Sequence, residues 1–478
     1  MRSRDNVVLG VLTFAGISYA LQQTMVLPAL PALQRDLHTT TAWVTWLFTA
    51  FLLTSSVAAP ILGKLGDQYG KERLLVVSLG IFLAGSIAAA AAPGIWTLIA
   101  ARAVQGAGGA IFPLSFAIIR DEFPRERVGV AVGVVSSVFA VGGGFGLVLS
   151  GLIVDHLSWR YLFVVGAVGI GIALVLVQLF VPESPIKTPS RVDVPGGVLL
   201  SAGLLTLLLA LTEGDSWGWS SGRVAGLFLG AFAALALWVW VELRVAEPMV
   251  DVRMLAERTV LLTNVNALVI GFALFAAFVL VPNFVETPRG LSHSAAALVH
   301  YGFDATSTKT GFYLLPSSVA GLFSGTIAGV LGNRYGSKWP LAIGSALGAG
   351  GIASLALWHD RPWQIVVGML VVGSGFPFSF AAMAKLIVDA VKPSETGVAT
   401  GMNNVMRTIG GVIGGQVSAA VLTTRTISGT HVPAESAFAI AFWIAAIAAV
   451  IALVVALLVT PPRVGARLAL AGAVERPD

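Results

Sequence analysis

The sequence predicts an all-α integral membrane protein. Fourteen transmembrane helices form two six-helix halves, with two helices inserted between them and both termini cytoplasmic. Three observations predict this: an apolar composition, a one-sided distribution of basic charge, and an internal repeat. Of 478 residues, 56% are hydrophobic and 11% charged, and the mean hydropathy is +0.87. Water-soluble domains carry roughly 25% charged residues, and this chain has too few to cover its apolar area in water. Lipid is its natural solvent.

A helix needs about 20 apolar residues, at ~1.5 Å each, to cross the hydrocarbon core. Runs bounded by charge and turn clusters place spans 1 to 6 at 6–27, 41–62, 74–92, 95–119, 128–154 and 160–181. Spans 7 and 8 fall at 194–212 and 223–243, and spans 9 to 14 at 259–282, 311–331, 340–358, 363–388, 396–421 and 435–459. The expected organisation is an N-terminal half (1–182), a linker holding spans 7 and 8 (183–258), a C-terminal half (259–460) and a cytoplasmic tail (461–478). Nothing remaining is long enough for a soluble domain. Span 1 exceeds a signal-peptide core and no small-residue cleavage site follows it, so it is expected to be retained.

With the N-terminus inside, the inner segments hold 19 Lys and Arg, the outer ones 7, and the spans themselves 3. That is the positive-inside pattern, so the net charge of +5 reports topology and not nucleic-acid binding. Trp43, Trp96, Trp159, Trp217, Trp339, Trp358 and Trp363 lie near span ends, as an interfacial belt requires. Cysteine is absent, which removes disulfides, thiolate metal sites and cysteine nucleophiles. All six histidines (His38, His156, His293, His300, His359, His431) fall in outer loops or outer span ends. They are ordinary loop residues or an outside pH sensor, and none is left for a relay within the membrane.

The repeat joins GKLGDQYGK at 63–71 to GVLGNRYGS at 329–337, an offset of 266. A second pair, PRERVGVAVG from Pro124 and PSETGVATG from Pro393, agrees at 268–269. These motifs follow spans 2 and 4, then spans 10 and 12, so the halves are related by eight spans. Such halves meeting at a midplane site are the architecture of alternating-access transporters.

After span 2 the chain must reverse, and Gly63, Gly66 and Gly70 permit a tight turn and close backbone approach. Asp67 is placed to accept from a helix N-terminus or to pair with Arg120, Arg125 or Arg127. Lys71 and Arg73 add inside-positive charge. The pattern Gly63-x-Leu65-x-Asp67-x-x-Gly70-Lys71-x-Arg73 resembles the loop 2–3 signature of the major facilitator superfamily. Leu98-x-x-x-Arg102-x-x-Gln105-Gly106-x-Gly108 is similar to that family's fourth-helix motif. The fourteen spans and Ser158-Trp159-Arg160 resemble its 14-helix drug:proton antiporter branch. The resemblance covers essentially the whole chain. It implies a rocker-switch transporter whose loop signature latches the halves at the cytoplasmic side when the cavity faces outward. Asp67 would be the latch acid and Gly66 the close-packing residue; with Asn333 replacing the acid, the second latch would be weaker or absent.

Two features of the branch are degraded. Gln22 stands where span 1 usually carries an acid, and Gln cannot carry a proton. Gly146-Leu147-Val148-Leu149-Ser150-Gly151 replaces the Gly-Pro and paired glycines of the fifth-helix motif. The basic residues within spans are Arg102, Lys385 and Arg407, and no acid lies well inside one. An intramembrane charge costs several kcal/mol unless paired or hydrated, so it marks a candidate site. Arg407, about eleven residues into span 13, is the strongest candidate, with Asn403 and Asn404 beside it on the same face. It faces a cavity or braces helix packing. Arg102 either snorkels outward or serves the cavity, and Lys385 lies close enough to the inner end to snorkel. Gln22, Gln23 and Gln105 line the cavity or bind helices together. Pro377 and the glycines of GSGFPFSF (373–380) make span 12 a gating element or a packing kink. The outer loop 283–310 caps the cavity or is mobile.

The leading expectation is a secondary exporter of small amphipathic molecules. Proton coupling would fall to Asp155 or Glu286, given Gln22. The alternative is a uniporter or flippase-like carrier of an anionic or neutral lipid or envelope metabolite, favoured by three basic residues and no core acid. A non-transporting receptor fits the duplicated motif poorly. An enzyme fits least, as no metal cluster, nucleophile–base set or phosphate loop is evident. No cofactor and no metal is expected. The partners expected are the substrate, the bilayer and, if coupled, protons, in a monomer of a bacterial cytoplasmic membrane; the high Arg-to-Lys ratio suggests the source.

Overall fold

The structure, a computed structural model, describes residues 2–184, 187, 193–287, 301–427 and 432–460. His293, His300, His431, residues 288–300 of the loop 283–310 and the tail 461–478 lie outside the described residues. Span 1 is two helices, α1 (Arg2–Thr24) and α2 (Val26–Asp36). Spans 2 and 3 are α3 (Thr41–Tyr69) and α4 (Lys71–Ala90), and span 4 is α5 (Ile95–Ala107) with α6 (Ile111–Glu122). Spans 5 and 6 are α7 (Arg125–His156) and α8 (Arg160–Phe180), and the inserted pair is α9 (Val194–Trp217) and α10 (Gly222–Glu242). The short α11 (Val252–Ala256) leads into spans 9 to 14: α12 (Arg258–Glu286), α13 (Ser307–Tyr335), α14 (Lys338–Leu357), α15 (Pro362–Ala390), α16 (Thr396–Thr424) and α17 (Glu435–Leu458). Among the described residues, thirteen segments are long and apolar enough to cross a membrane. The fourteenth, α7, is 32 residues long, with its described apolar stretch at Gly144–His156.

The repeated motif corrects one expectation. The chain does not reverse after residue 62: α3 continues through Gly63 and Gly66 to Tyr69, and the turn falls at Gly70, φ 125°. Its 29 residues reach about 43 Å, so the helix passes the ~30 Å core into the headgroup layer, where Lys64 and Asp67 need not end it. The second copy behaves alike, running through Gly329 and Gly332 to a turn at Gly336, φ 87°. Of the three glycines only Gly70 turns the chain. Trp159 is a second correction. It is 2% exposed, packed under Arg160, whereas Trp43, Trp96, Trp217, Trp339, Trp358 and Trp363 are exposed as a belt should be.

In lipid no hydrophobic force drives helices together, so small residues and polar bonds hold the bundle. The break in span 1 at Met25 frees a carbonyl, which accepts from the Ser150 hydroxyl of α7. One residue earlier, Thr24 Oγ1 donates to the Gly142 carbonyl at 2.5 Å. Ser150, a departure from the fifth-helix motif, thus satisfies backbone exposed elsewhere.

The halves meet along two seams, α7 against α13 and α3 against α16. A methyl added at Gly133 would lie 2.2 Å from the Gly325 carbonyl oxygen, and one at Gly63 would lie 2.5 Å from that of Gly397. The α7–α13 seam stays closed along its length, from Gly129 against Gly329 to Gly151 against Thr308. The inserted α9 packs on α3 and α16, and α10 packs on α9. The outer face of α10 is apolar and exposed, as at Leu229 and Phe232.

Candidate functional site: a motif-side closure and a central cavity

At the face where α3 meets α4, here the motif face, Asp67 is buried and reaches across the halves. Its Oδ2 accepts from the backbone N–H groups of Gly397 (3.0 Å) and Val398 (3.2 Å), in the first turn of α16. Of the two pairings open to Asp67, the helix N-terminus is the one formed, where unpaired N–H groups and the helix dipole both favour an anion. Lys71 lies 3.7 Å from Asp67 and binds Asp121 and the Pro393 carbonyl (3.4 Å). Arg120 does not pair with Asp67. It donates to the Val391 carbonyl (2.7 Å), the Lys392 carbonyl (3.2 Å) and Thr396 Oγ1 (2.7 Å), at the end of α15. Gly66 leaves room for Leu114, which a methyl would meet at 2.3 Å, and Gly63 leaves room for Gly397. Gly70 packs on Glu183, to which exposed Arg73 pairs at 3.6 Å.

In the second copy Asn333 also reaches across the halves. Its Nδ2 donates to the Glu126 carbonyl at the start of α7, 2.6 Å away. A neutral amide thus spans the second seam where an acid spans the first.

Between the halves lies a cavity of about 550 Å³, a size suited to a small-molecule ligand. It begins mid-span at Tyr19, Phe112, Phe380 and Arg407 and reaches the opposite helix ends at Pro28, Asn283, Glu286 and Ala419. It therefore opens at the face away from Asp67, here the mouth face. Thr45, Thr49 and Leu52 of α3 and Gly411, Gly415 and Gln416 of α16 line it, so these helices touch at the motif face and part towards the mouth. Leu208 and Thr212 of the inserted α9 close the lateral gap, with Gln416 Nε2 donating to the Thr212 carbonyl (3.4 Å).

The expected cavity residues divide. Gln23, Asn404 and Arg407 line it. Arg407 lies over the Phe380 ring, 4.7 Å from its centroid, and donates to Asn404. Gln22 points the other way: it is buried against Gly166 of α8, and neither amide atom has a hydrogen-bond partner among the described residues. Arg102 and Gln105 are also fully buried inside the first half. Arg102 Nε donates to the Leu47 carbonyl (3.0 Å) and Nη1 to Gln105 Oε1 (2.8 Å); Gln105 Nε2 donates to Ser86 Oγ (2.8 Å). Arg102 binds α5 to α3 and α4 and does not snorkel. Asn403 ties α16 to α12 through Asn264 Oδ1 (2.9 Å) and borders a small pocket under the cavity. Lys385 pairs with Asp389 one turn on. Pro377 lines the cavity. Asp155 accepts from Thr308 Oγ1 (2.8 Å) at the mouth-face end of the α7–α13 seam, outside the cavity lining, and Glu286 is exposed at the mouth.

Several lining residues carried no signal in the sequence. Tyr19 bonds Ser55 (3.0 Å) and stacks among Phe51, Phe82 and Phe112. Phe275, Phe278 and Phe376 form apolar wall. Each is an ordinary aromatic in an apolar run until the helices are assembled.

Two helical halves, a polar closure at one end of their interface and a cavity opening at the other define a membrane transporter. The family model described as Major Facilitator Superfamily matches residues 12–415 and again 296–477. The chain belongs to the Major Facilitator Superfamily. It is 30% identical over 416 residues to an uncharacterized MFS-type transporter of Mycobacterium tuberculosis, covering 85% of this chain but 58% of that protein's length. It is 28% identical to the multidrug transporter protein MdtP of Bacillus subtilis (89% of this chain, 76% of the relative). It is 25% identical to the tetracenomycin C resistance and export protein of Streptomyces glaucescens (89% and 77%). The human organic anion transporter MFSD10 (TETRAN) superposes with TM-score 0.64 over 95% of this chain and 99% of that one, at 15% identity, a likeness of fold.

Proposed function

We propose that the chain exports small amphipathic molecules across the cytoplasmic membrane of a bacterium by alternating access, acting as a monomer. The observation that carries this reading is the cavity between the halves, sealed at the Asp67 face and open at the other. The excess of Lys and Arg at the motif face supports a cytoplasmic placement of that face, in which the conformation faces outward. Gly63, Gly66, Asp67, Gly70, Lys71 and Arg73 then act as a cytoplasmic latch, and Gln23, Asn404 and Arg407 contact substrate. The name of the Streptomyces relative, a resistance and export protein, supports efflux as the direction. Gln22 leaves span 1 without a carboxyl group to carry a proton. If protons are coupled, Glu286 is the acid that meets the cavity, while Asp155 is engaged with Thr308.

The test is reconstitution into liposomes loaded with a fluorescent amphiphile, with and without an imposed pH gradient. Movement above protein-free vesicles supports the reading, and a pH-dependent rate lost in Glu286→Gln supports coupling there. No protein-dependent movement of any amphiphile in either direction would overturn it.

A further inference from the structure

Resting on the exporter reading, we infer that the cavity selects anionic amphiphiles, with Arg407 receiving the acidic head group. Arg407 lies at the deep end of the cavity. Its side chain is fixed by Phe380 on one side and Asn404 on another, so a guanidinium is held in place before a ligand arrives. Such a preorganised fork matches the oxygens of a carboxylate, sulfonate or phosphate. The other charged lining residue is Glu286. Gly271 of α12 abuts the Arg407 backbone, and Glu286 lies fifteen residues further along that helix, roughly 22 Å towards the mouth. The acid therefore stands at the entrance, too far off to compete for the guanidinium.

Between them the wall is Phe275, Phe278, Val279, Phe376 and Leu52, a sleeve for an apolar body. Anionic head, long apolar tail and mouth-proximal polar end is the shape this site fits. A cationic amphiphile would meet Arg407 at the floor with no cavity-lining carboxylate among the described residues there, and like charges in such a setting are strongly disfavoured.

This assignment also removes the need for the span 1 acid. An anion leaving a cell with an inside-negative potential moves down that potential. About 100 mV sustains a roughly 50-fold gradient of a monoanion with no coupled proton. Gln22 is then compatible with net export.

The test uses three probes with one alkyl chain length: a sulfonate, a quaternary ammonium and a neutral glucoside. Binding to the purified full-length protein and flux from proteoliposomes under a valinomycin–potassium potential are both measured. The expected wild-type result is at least ~10-fold preference for the sulfonate over the ammonium probe in both measurements. Arg407→Gln should cut the sulfonate-to-glucoside ratio at least ~10-fold, and Arg407→Lys, which keeps the charge without the fork, should restore part of it. Sulfonate binding that depends on Arg407 with no flux of any probe would uphold the anion site and overturn the exporter reading. Equal handling of ammonium and sulfonate, or parallel loss of all three probes in Arg407→Gln without recovery in Arg407→Lys, would overturn the anion site and leave export standing.

Discussion

Asp67→Asn isolates the charge at the motif-face closure, because the two side chains have nearly one shape. With that face closed, the carboxylate takes two backbone N–H bonds, at 3.0 and 3.2 Å, from the first turn of α16. Charged acceptors make such bonds worth about 1.5–3 kcal/mol, against about 0.5–1.5 for neutral ones. Losing the charge therefore removes roughly 2 kcal/mol, plus about 0.5 kcal/mol from the helix dipole. Easier burial of a neutral amide offsets part of this. The net shift is about 1–2 kcal/mol against the closed latch, or roughly a 5–30-fold rise in the inward-facing population. The absence of cysteine makes single-cysteine reporters simple. Thr400→Cys reports from a buried position at the motif face and Asn283→Cys from the mouth. Maleimide labelling at position 400 should accelerate by that factor in Asp67→Asn, with position 283 changing little. A rate at 400 within twofold of the unsubstituted background would refute the reasoning.

Steric closure is tested by Gly63→Val, whose Cβ would sit 2.5 Å from the Gly397 carbonyl oxygen. It should raise labelling at position 400 at least as much as Asp67→Asn, while Gly226→Val on α10, where an added Cβ meets nothing within 4 Å, should change nothing. Asn333→Asp restores the acid that the repeat lacks, yet it should weaken the α7–α13 seam without opening α3 from α16. The carboxylate cannot donate to the Glu126 carbonyl, and opposing two acceptors costs about 1–3 kcal/mol, so thermal stability in detergent should fall by that amount; a several-fold change in labelling at 400 would contradict this. Arg102→Met strands the Leu47 carbonyl and the Gln105 amide, so thermal unfolding in detergent should show a loss of about 3 kcal/mol with the substrate profile retained. Gln22→Leu replaces an amide with no hydrogen-bond partner among the described residues. It should hold or raise stability by up to about 2 kcal/mol, and a lost pH dependence of transport would show that Gln22 does more than pack.

Helix number and type were legible because lipid leaves the backbone no other solution. Which face each helix presents was not. Gln22 and Gln23 are neighbours in sequence, yet about 100° apart on the helix one packs on α8 and the other meets the cavity. Arg102 and Arg407 look alike as charges within spans, and only assembly buries the first among α3, α4 and α5 and opens the second to the cavity. A helix apolar all round carries no moment from which to read direction. The motif's end was misjudged for a related reason: charged residues end an apolar run, but α3 continues into the headgroup layer, where charge is hydrated.

The two copies of the motif have diverged along the line their seams require. Asp67 grips α16 through its N–H groups, and Asn333 grips α7 through a carbonyl. The acid crosses the seam whose helices part towards the mouth, and the amide crosses the seam that stays packed end to end. Opening α3 from α16 at the motif face would strip N–H groups of a charged partner, a loss recovered only when water reaches them. Rotation about α7 and α13 need not break that seam at all, since glycine against glycine leaves a smooth surface. A strong bond belongs where the two end states differ and a weak one where they share a contact. On the alternating-access reading, that division would make α3–α16 the gate and α7–α13 the pivot.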